Sequence, residues 1–559
     1  MSKKPYNGGR ALVQALVTLG AKRAFCVPGE SYLPVLDALY DVGDDIDLIT
    51  CRHEAGAANM AEAHGKLTGE PGICFVTRGP GATHASIGVH TAFQDSTPMI
   101  LFIGQVASDQ EDREAFQEIN YKQMFGGMAK WVAEIKDQAR VAEYVSRAFA
   151  TATSGRPGPV VLSLPEDMLS GEAVEQSLSG FKAVRPNPGV SDVEKAVAML
   201  DNAKRPLLIL GGSGWNKSAV DIYREFAEKN ALPTGVAFRF QDLMDNRSPV
   251  YAGDVGIGIN PVLAKRVKDA DVILALGPRL GEITTSGYTL LSSPKPKQTL
   301  IHVHSGAEEL NSVYQADLAI HSGAAEFVNE MVKLSPKNKA GRVPLCKADN
   351  QAYLNWIKPN RNPGDVQIAE IYKYLRESLD DDAIITNGAG NYAAFLHRYF
   401  QYKSFKTQLA PTSGAMAYGI PAAIAAKAQY PKRQVVACAG DGCFLMGSTE
   451  LATAVQYKLP VVFLVFNNSM FGTIRMHQEK NFPERVSGTE LNNPDFVAMA
   501  KAFGANGSLV TKTAEFAPLF EAALKADMPT VIEIIVDQQA LSHLATLDEV
   551  RAIGQKNNK

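Results

Sequence analysis

Residues 435–475 read VVACAGDGCFLMGSTELATAVQYKLPVVFLVFNNSMFGTIR. One apolar run stops at Gly440-Asp441-Gly442, a helical pattern follows, and a second apolar run stops at Asn467-Asn468. Runs that are apolar at every position read as strands buried on both faces, the pattern of a parallel sheet covered by helices. In open sheets of this kind ligands collect at the carboxyl ends of the strands, so both polar clusters are expected on one edge. Asp441 and Asn468, 27 positions apart, are hard oxygen donors. A small cation such as Mg²⁺ takes one or two such side chains, with carbonyls, water and ligand phosphates completing its shell. Gly440 and Gly442 let the backbone approach a diphosphate, and a helix start beside them offers N–H groups to it. Gly-Asp-Gly by itself is also an ordinary turn.

The same alternation extends outward. Strands are expected at 383–386, 435–439, 461–466 and 530–535 in the last third, at 24–27, 48–50, 73–77, 99–103 and 160–164 in the first, and at 206–210, 272–276 and 299–302 between them. Polar stretches at 170–192 and 335–363 read as linkers. The expectation is an α/β chain of three consecutive domains, 1–180, 190–335 and 362–545, each with a mainly parallel, six-stranded type of sheet.

Composition excludes several classes. With 559 residues, 46% hydrophobic and 21% charged, the chain can bury several cores, and global disorder is ruled out. A net charge of −3 without a basic block argues against nucleic acid as partner. The amino-terminal MSKKPYNGGRALVQAL lacks the pattern of a secretory signal, and no apolar run is long enough to span a membrane. Six cysteines without CxxC spacing suggest a reducing, cytoplasmic setting and no zinc site.

The Asp441–Asn468 segment resembles the cofactor-binding motif of the thiamine-diphosphate-dependent decarboxylases and carboligases. The resemblance implies that Asp441, Asn468 and the backbone of Met470 hold Mg²⁺. It also implies that Gly440, Gly442, Cys443, Phe471 and Gly472 line the diphosphate site. Asn387-Gly388-Ala389-Gly390-Asn391 is similar to the family's first diphosphate loop, which assigns Gly390 and Asn391. In Thr412-Ser413-Gly414-Ala415-Met416, the resemblance makes Met416 the prop that bends thiamine and the Gly414 carbonyl the acceptor of its 4′-amino group. RHEAGAANMAEAHGKLTGEPG (52–72) is similar to the segment carrying the family's catalytic acid, which falls on Glu54. A carboxyl bonded to the pyrimidine N1′ favours the imino tautomer, and burial would help it share that proton. The family arrangement implies a homodimer, or a dimer of dimers, with active sites between subunits.

Nearly the whole chain resembles the acetolactate synthase catalytic subunits. That resemblance assigns Gly29, Phe116, Gln117 and Arg279 to the substrate pocket and implies decarboxylation of a 2-keto acid such as pyruvate, followed by carboligation to a second carbonyl. Four positions depart from the pattern: His477 in place of a tryptophan, Arg78 in place of serine, Glu30 in place of glycine, and Glu166 in place of lysine. Glu30, Arg78 and His477 thereby join the pocket candidates, and Arg78 would suit an anionic substrate. The departures keep other thiamine-dependent enzymes open, namely relatives of sulfoacetaldehyde acetyltransferase, benzoylformate decarboxylase or 2-hydroxyacyl-CoA lyase. FAD in the central domain stays open on Gly211-Gly212-Ser213-Gly214. A Rossmann dehydrogenase is disfavoured because GxGxxG spacing is missing there, and a non-enzymatic scaffold because acid and metal donors are all present.

Overall fold

The computed structural model describes residues 6–557. The first five residues of the amino-terminal stretch therefore lie outside the described residues. The chain forms two compact units, residues 1–184 with 424–429, and residues 185–423 with 430–559. Among the described residues no helix is long and apolar enough to cross a membrane, and all six cysteines are buried free thiols.

The first unit holds a six-stranded sheet of β1 (Arg23–Cys26), β2 (Asp47–Thr50), β3 (Gly72–Val76), β4 (Met99–Gln105), β5 (Trp131–Glu134) and β6 (Pro159–Pro165). Its order is β2-β1-β3-β4-β6-β5, and every pairing is parallel. β3, β4 and β6 are buried at every position, as their unbroken apolar runs require.

The second unit holds two such sheets. One contains β7 (Leu207–Leu210), β8 (Thr234–Ala237), β9 (Tyr251–Val255), β10 (Val272–Leu276), β11 (Thr299–His304) and β12 (Leu318–His321) in the order β12-β11-β10-β7-β8-β9. The other contains β13 (Ile384–Asn387), β14 (Gln408–Leu409), β15 (Val435–Gly440), β16 (Val462–Asn467), β17 (Asn506–Val510) and β18 (Thr530–Ile535) in the order β14-β13-β15-β16-β18-β17. Buried polar contacts join the two. The Gln241 amide N–H donates to Gln408 Oε1 at 2.7 Å, and Asn246 exchanges bonds of 2.9 Å with the backbone of Tyr402.

The expected α/β class with parallel six-stranded sheets is what the structure has. The linker reading of 335–363 is corrected, because most of it is the helix Lys339–Trp356. Its polar composition conceals an inward face: Arg342 is buried and bonds Asp201 at 3.1 Å, while Cys346 and Tyr353 join the apolar core.

Candidate active site

In the third sheet the candidate residues gather on one edge. β13, β15 and β16 end at Asn387, Gly440 and Asn467, and the loops that follow surround a cavity of about 300 Å³. Gly390, Asn391, Gly414, Met416, Gly440, Asp441, Gly442, Cys443, Asn468, Met470, Phe471 and Gly472 all line it. So do Tyr392, Thr473, Ile474 and Leu541, which the sequence did not single out. Gly414 adopts a left-handed conformation (φ 69°), which a residue with a Cβ resists. A Cβ at Gly442 would stand 2.5 Å from Cε1 of Phe471, so this glycine is needed for ring packing as well as for ligand approach.

Asp441 is buried at the start of a short helix. Its Oδ1 accepts the Gly442 N–H and its Oδ2 the Asn493 amide, both at 2.8 Å. Burial pushes its carboxyl up, and these two bonds oppose that rise. The paired asparagines divide their tasks. Asn467 turns into the sheet and donates to Glu533 at 2.7 Å, leaving Asn468 on the cavity wall. The donor set fits a hard divalent cation with a diphosphate: a carboxylate, an amide oxygen and the nearby Met470 backbone. Among the described residues, a buried oxygen beside it, Asn493 Oδ1, has no hydrogen-bond partner. Buried polar atoms of this kind usually find one.

The first unit carries Glu54 and the pocket candidates Gly29, Glu30, Arg78, Phe116 and Gln117 on the carboxyl edge of its own sheet. Glu54 opens the helix Glu54–Thr68 directly after β2, capped by His53, whose Nδ1 accepts the Ala55 N–H. Glu54 Oε2 lies 2.9 Å from His84 Nδ1 on the helix Pro80–Asp95. A Cβ at Gly29 would stand 2.5 Å from that of Thr77, so β1 and β3 approach closely there.

Three of the departures meet. Arg78 is buried; its Nε donates to the Phe116 carbonyl at 3.1 Å, one terminal nitrogen pairs with Glu166, and the other stands 3.7 Å from Glu30. Gln117 is in a left-handed conformation (φ 66°), and Glu118 folds the loop by accepting N–H bonds from Asp112 and Ala115. Phe116 projects outward, 72% exposed. Arg78 therefore spends one donor on the loop that carries Phe116 and Gln117 and turns its terminal nitrogens to Glu166 and Glu30.

Three family models match the chain: the thiamine pyrophosphate enzyme N-terminal TPP binding domain over residues 6–124, the central domain over 193–331, and the C-terminal TPP binding domain over 388–534. A probable acetolactate synthase large subunit of Methanocaldococcus jannaschii is 30% identical over 556 residues, covering 95% of this chain and 92% of that protein. The chain belongs to the thiamine pyrophosphate enzyme family. Escherichia coli acetolactate synthase isozyme 2 large subunit is 29% identical, over 95% of this chain and 96% of its own. Bacillus subtilis acetolactate synthase is 28% identical, over 97% and 95%.

The two pocket candidates that fall in the second unit of this thiamine pyrophosphate enzyme do not line its cavity. Arg279 pairs with Glu309 at 3.1 Å, and His477 is exposed a turn beyond Ile474 on the helix Gly472–Asn481. The glycines considered for FAD are used internally. A Cβ at Gly212 would fall 1.9 Å from the Gly277 carbonyl oxygen, and one at Gly211 would strike Pro278 and Ala237. Gly211 and Gly212 thus pack one strand end on another. Sequence reasoning missed Arg239, which is buried after β8 and bonds the carbonyls of Gly388, at 2.8 Å, and Pro411. These carbonyls belong to the two loops carrying Gly390 and Gly414. No local motif could have revealed a partner 149 residues away.

Proposed function

We propose that this thiamine pyrophosphate enzyme decarboxylates a 2-keto acid and joins the remaining acyl carbon to a second carbonyl, as an acetolactate synthase does. The carrying observation is the one cavity lined by Asp441, Asn468 and Met470 together with Gly390, Gly414 and Met416. When bound, thiamine diphosphate supplies the nucleophilic carbon and the electron sink. The protein's share is placement and proton handling. Asp441, the Asn468 side chain and the Met470 carbonyl would hold Mg²⁺ beside the diphosphate. Met416 and the Gly414 carbonyl would support the thiamine end of the cofactor. Glu54, contributed by a second copy of the chain in a homodimer, would manage the proton at the pyrimidine ring. Apolar walls from Phe395, Phe466 and Leu541 exclude water that would intercept the reaction.

The test supplies thiamine diphosphate, Mg²⁺ and a panel of 2-keto acids including pyruvate, follows CO₂, and identifies products by mass. Carboligation products are expected; failure to release CO₂ from every acid overturns the proposal. Glu54→Gln is expected to bind cofactor within a few-fold of the parent and to lose most turnover. A variant retaining near-parental rates would remove Glu54 from the scheme. The cluster at Arg78 favours one second reading, in which the chemistry is the same but the donor or acceptor differs from that of acetolactate synthases. The same panel, extended with aldehydes and acyl acceptors, decides between them.

A further inference from the structure

We propose that His84 is a positioning residue for Glu54, holding one carboxylate oxygen so that the other faces the cofactor's pyrimidine nitrogen. The inference rests on the reading of Glu54 given above. A carboxylate oxygen accepts hydrogen bonds, and in this proposal His84 Nδ1 donates to Glu54 Oε2 across their 2.9 Å contact. Oε1 lies toward Gly81, where a Cβ would be 3.5 Å away. It is the oxygen left for a ligand.

A hydrogen bond from a half-exposed side chain contributes little unless its donor is already oriented, and here it is. His53 caps the acid's helix through Nδ1, and its ring lies against that of His84, with centroids 4.5 Å apart and planes 32° apart. The helix bearing His84 is seated on the helix bearing Glu54, because Gly88 packs where a Cβ would come within 2.4 Å of that of Ala58. The donor, its stacking partner and the acceptor thus sit on two helices locked in register. A carboxylate without this anchor samples several rotamers, and the near-attack geometry that proton transfer requires is diluted among them.

The experiment uses the full chain loaded with thiamine diphosphate and Mg²⁺. It measures the rate at which the cofactor's C2 proton exchanges with deuterium, by acid quench and NMR, together with the cofactor Kd. In His84→Ala, exchange is expected to fall about 10- to 100-fold, the range for losing a hydrogen bond to a charged group, while Kd moves less than about threefold. His84→Asn places an amide N–H where imidazole Nδ1 stood and is expected to recover most of the rate. His84→Gln, whose amide falls elsewhere, is expected to stay low. Exchange in His84→Ala at the parental rate overturns the proposal. So does failure of Asn to rescue, which would mark His84 as packing only. Glu54→Gln is the control: if it exchanges at the parental rate, the Glu54 reading fails instead.

Discussion

Glu479 is a buried carboxylate held by two arginines, and its loss has a calculable cost. It sits on the helix that begins immediately after the Asn468–Phe471 loop and is 1% exposed. Arg551 grips it with both Nε and Nη2 at 3.0 Å, Arg475 adds a bond of 3.0 Å, and the Glu484 N–H another of 3.0 Å. The Arg551 pair, aided by the Glu484 N–H and Arg475, holds its carboxyl down from the usual 4.5 to about 2. A depression of that size corresponds to about 3 kcal/mol, at the lower end of the ~3–5 kcal/mol seen when a buried ion pair is broken. Glu479→Gln should therefore lower the thermal transition of the cofactor-free protein by roughly 6 °C, at about 2 °C per kcal/mol for a domain of this size. The sign with pH follows from the depressed value. The stabilisation is fully present above pH 4.5 and disappears as pH falls through about 2, so parent and variant should converge in acid. Differential scanning calorimetry at neutral pH, and denaturant titration at descending pH, check both parts. Melting within about 1 °C of the parent, or a gap that widens in acid, would refute the reasoning.

Arg239→Met removes the two bonds that fix the Gly388 and Pro411 carbonyls, so thiamine diphosphate should bind about 10-fold or more weakly, as calorimetry with Mg²⁺ present would measure. Arg78→Ser frees the loop around Phe116. KM for the keto acid should rise by about 10-fold while cofactor Kd stays unchanged. Asp441→Asn keeps the shape but loses the charge, and half-saturation by Mg²⁺ should rise by about 100-fold, read from activity recovered after chelation.

The main chain's contribution to the site was readable because it obeys local rules. Unbroken apolar runs marked β15 and β16, and Asp441 and Asn468, which follow them, fell on the cavity wall. Edge strands were harder: β14 has two residues and β17 mixes exposed with buried positions, so neither carries an apolar run. The helix Lys339–Trp356 was hidden because Arg342 is buried through a partner, Asp201, far away in sequence. Asn493, Arg239 and His84 escaped notice for the same reason. Each acts on a residue that folding alone brings near, and single residues of those types carry no pattern of their own.

Arg78, Glu30 and Glu166 come from three different strand ends, yet electrostatically they form one object. Neighbouring charges of this kind combine non-additively. Removing Arg78 alone leaves Glu30 and Glu166 without the cation they share, and the resulting defect would look like loss of function at that position. Transplanting a relative's substrate preference into this scaffold therefore calls for exchanging all three together, and a screen of single substitutions would pass over the route.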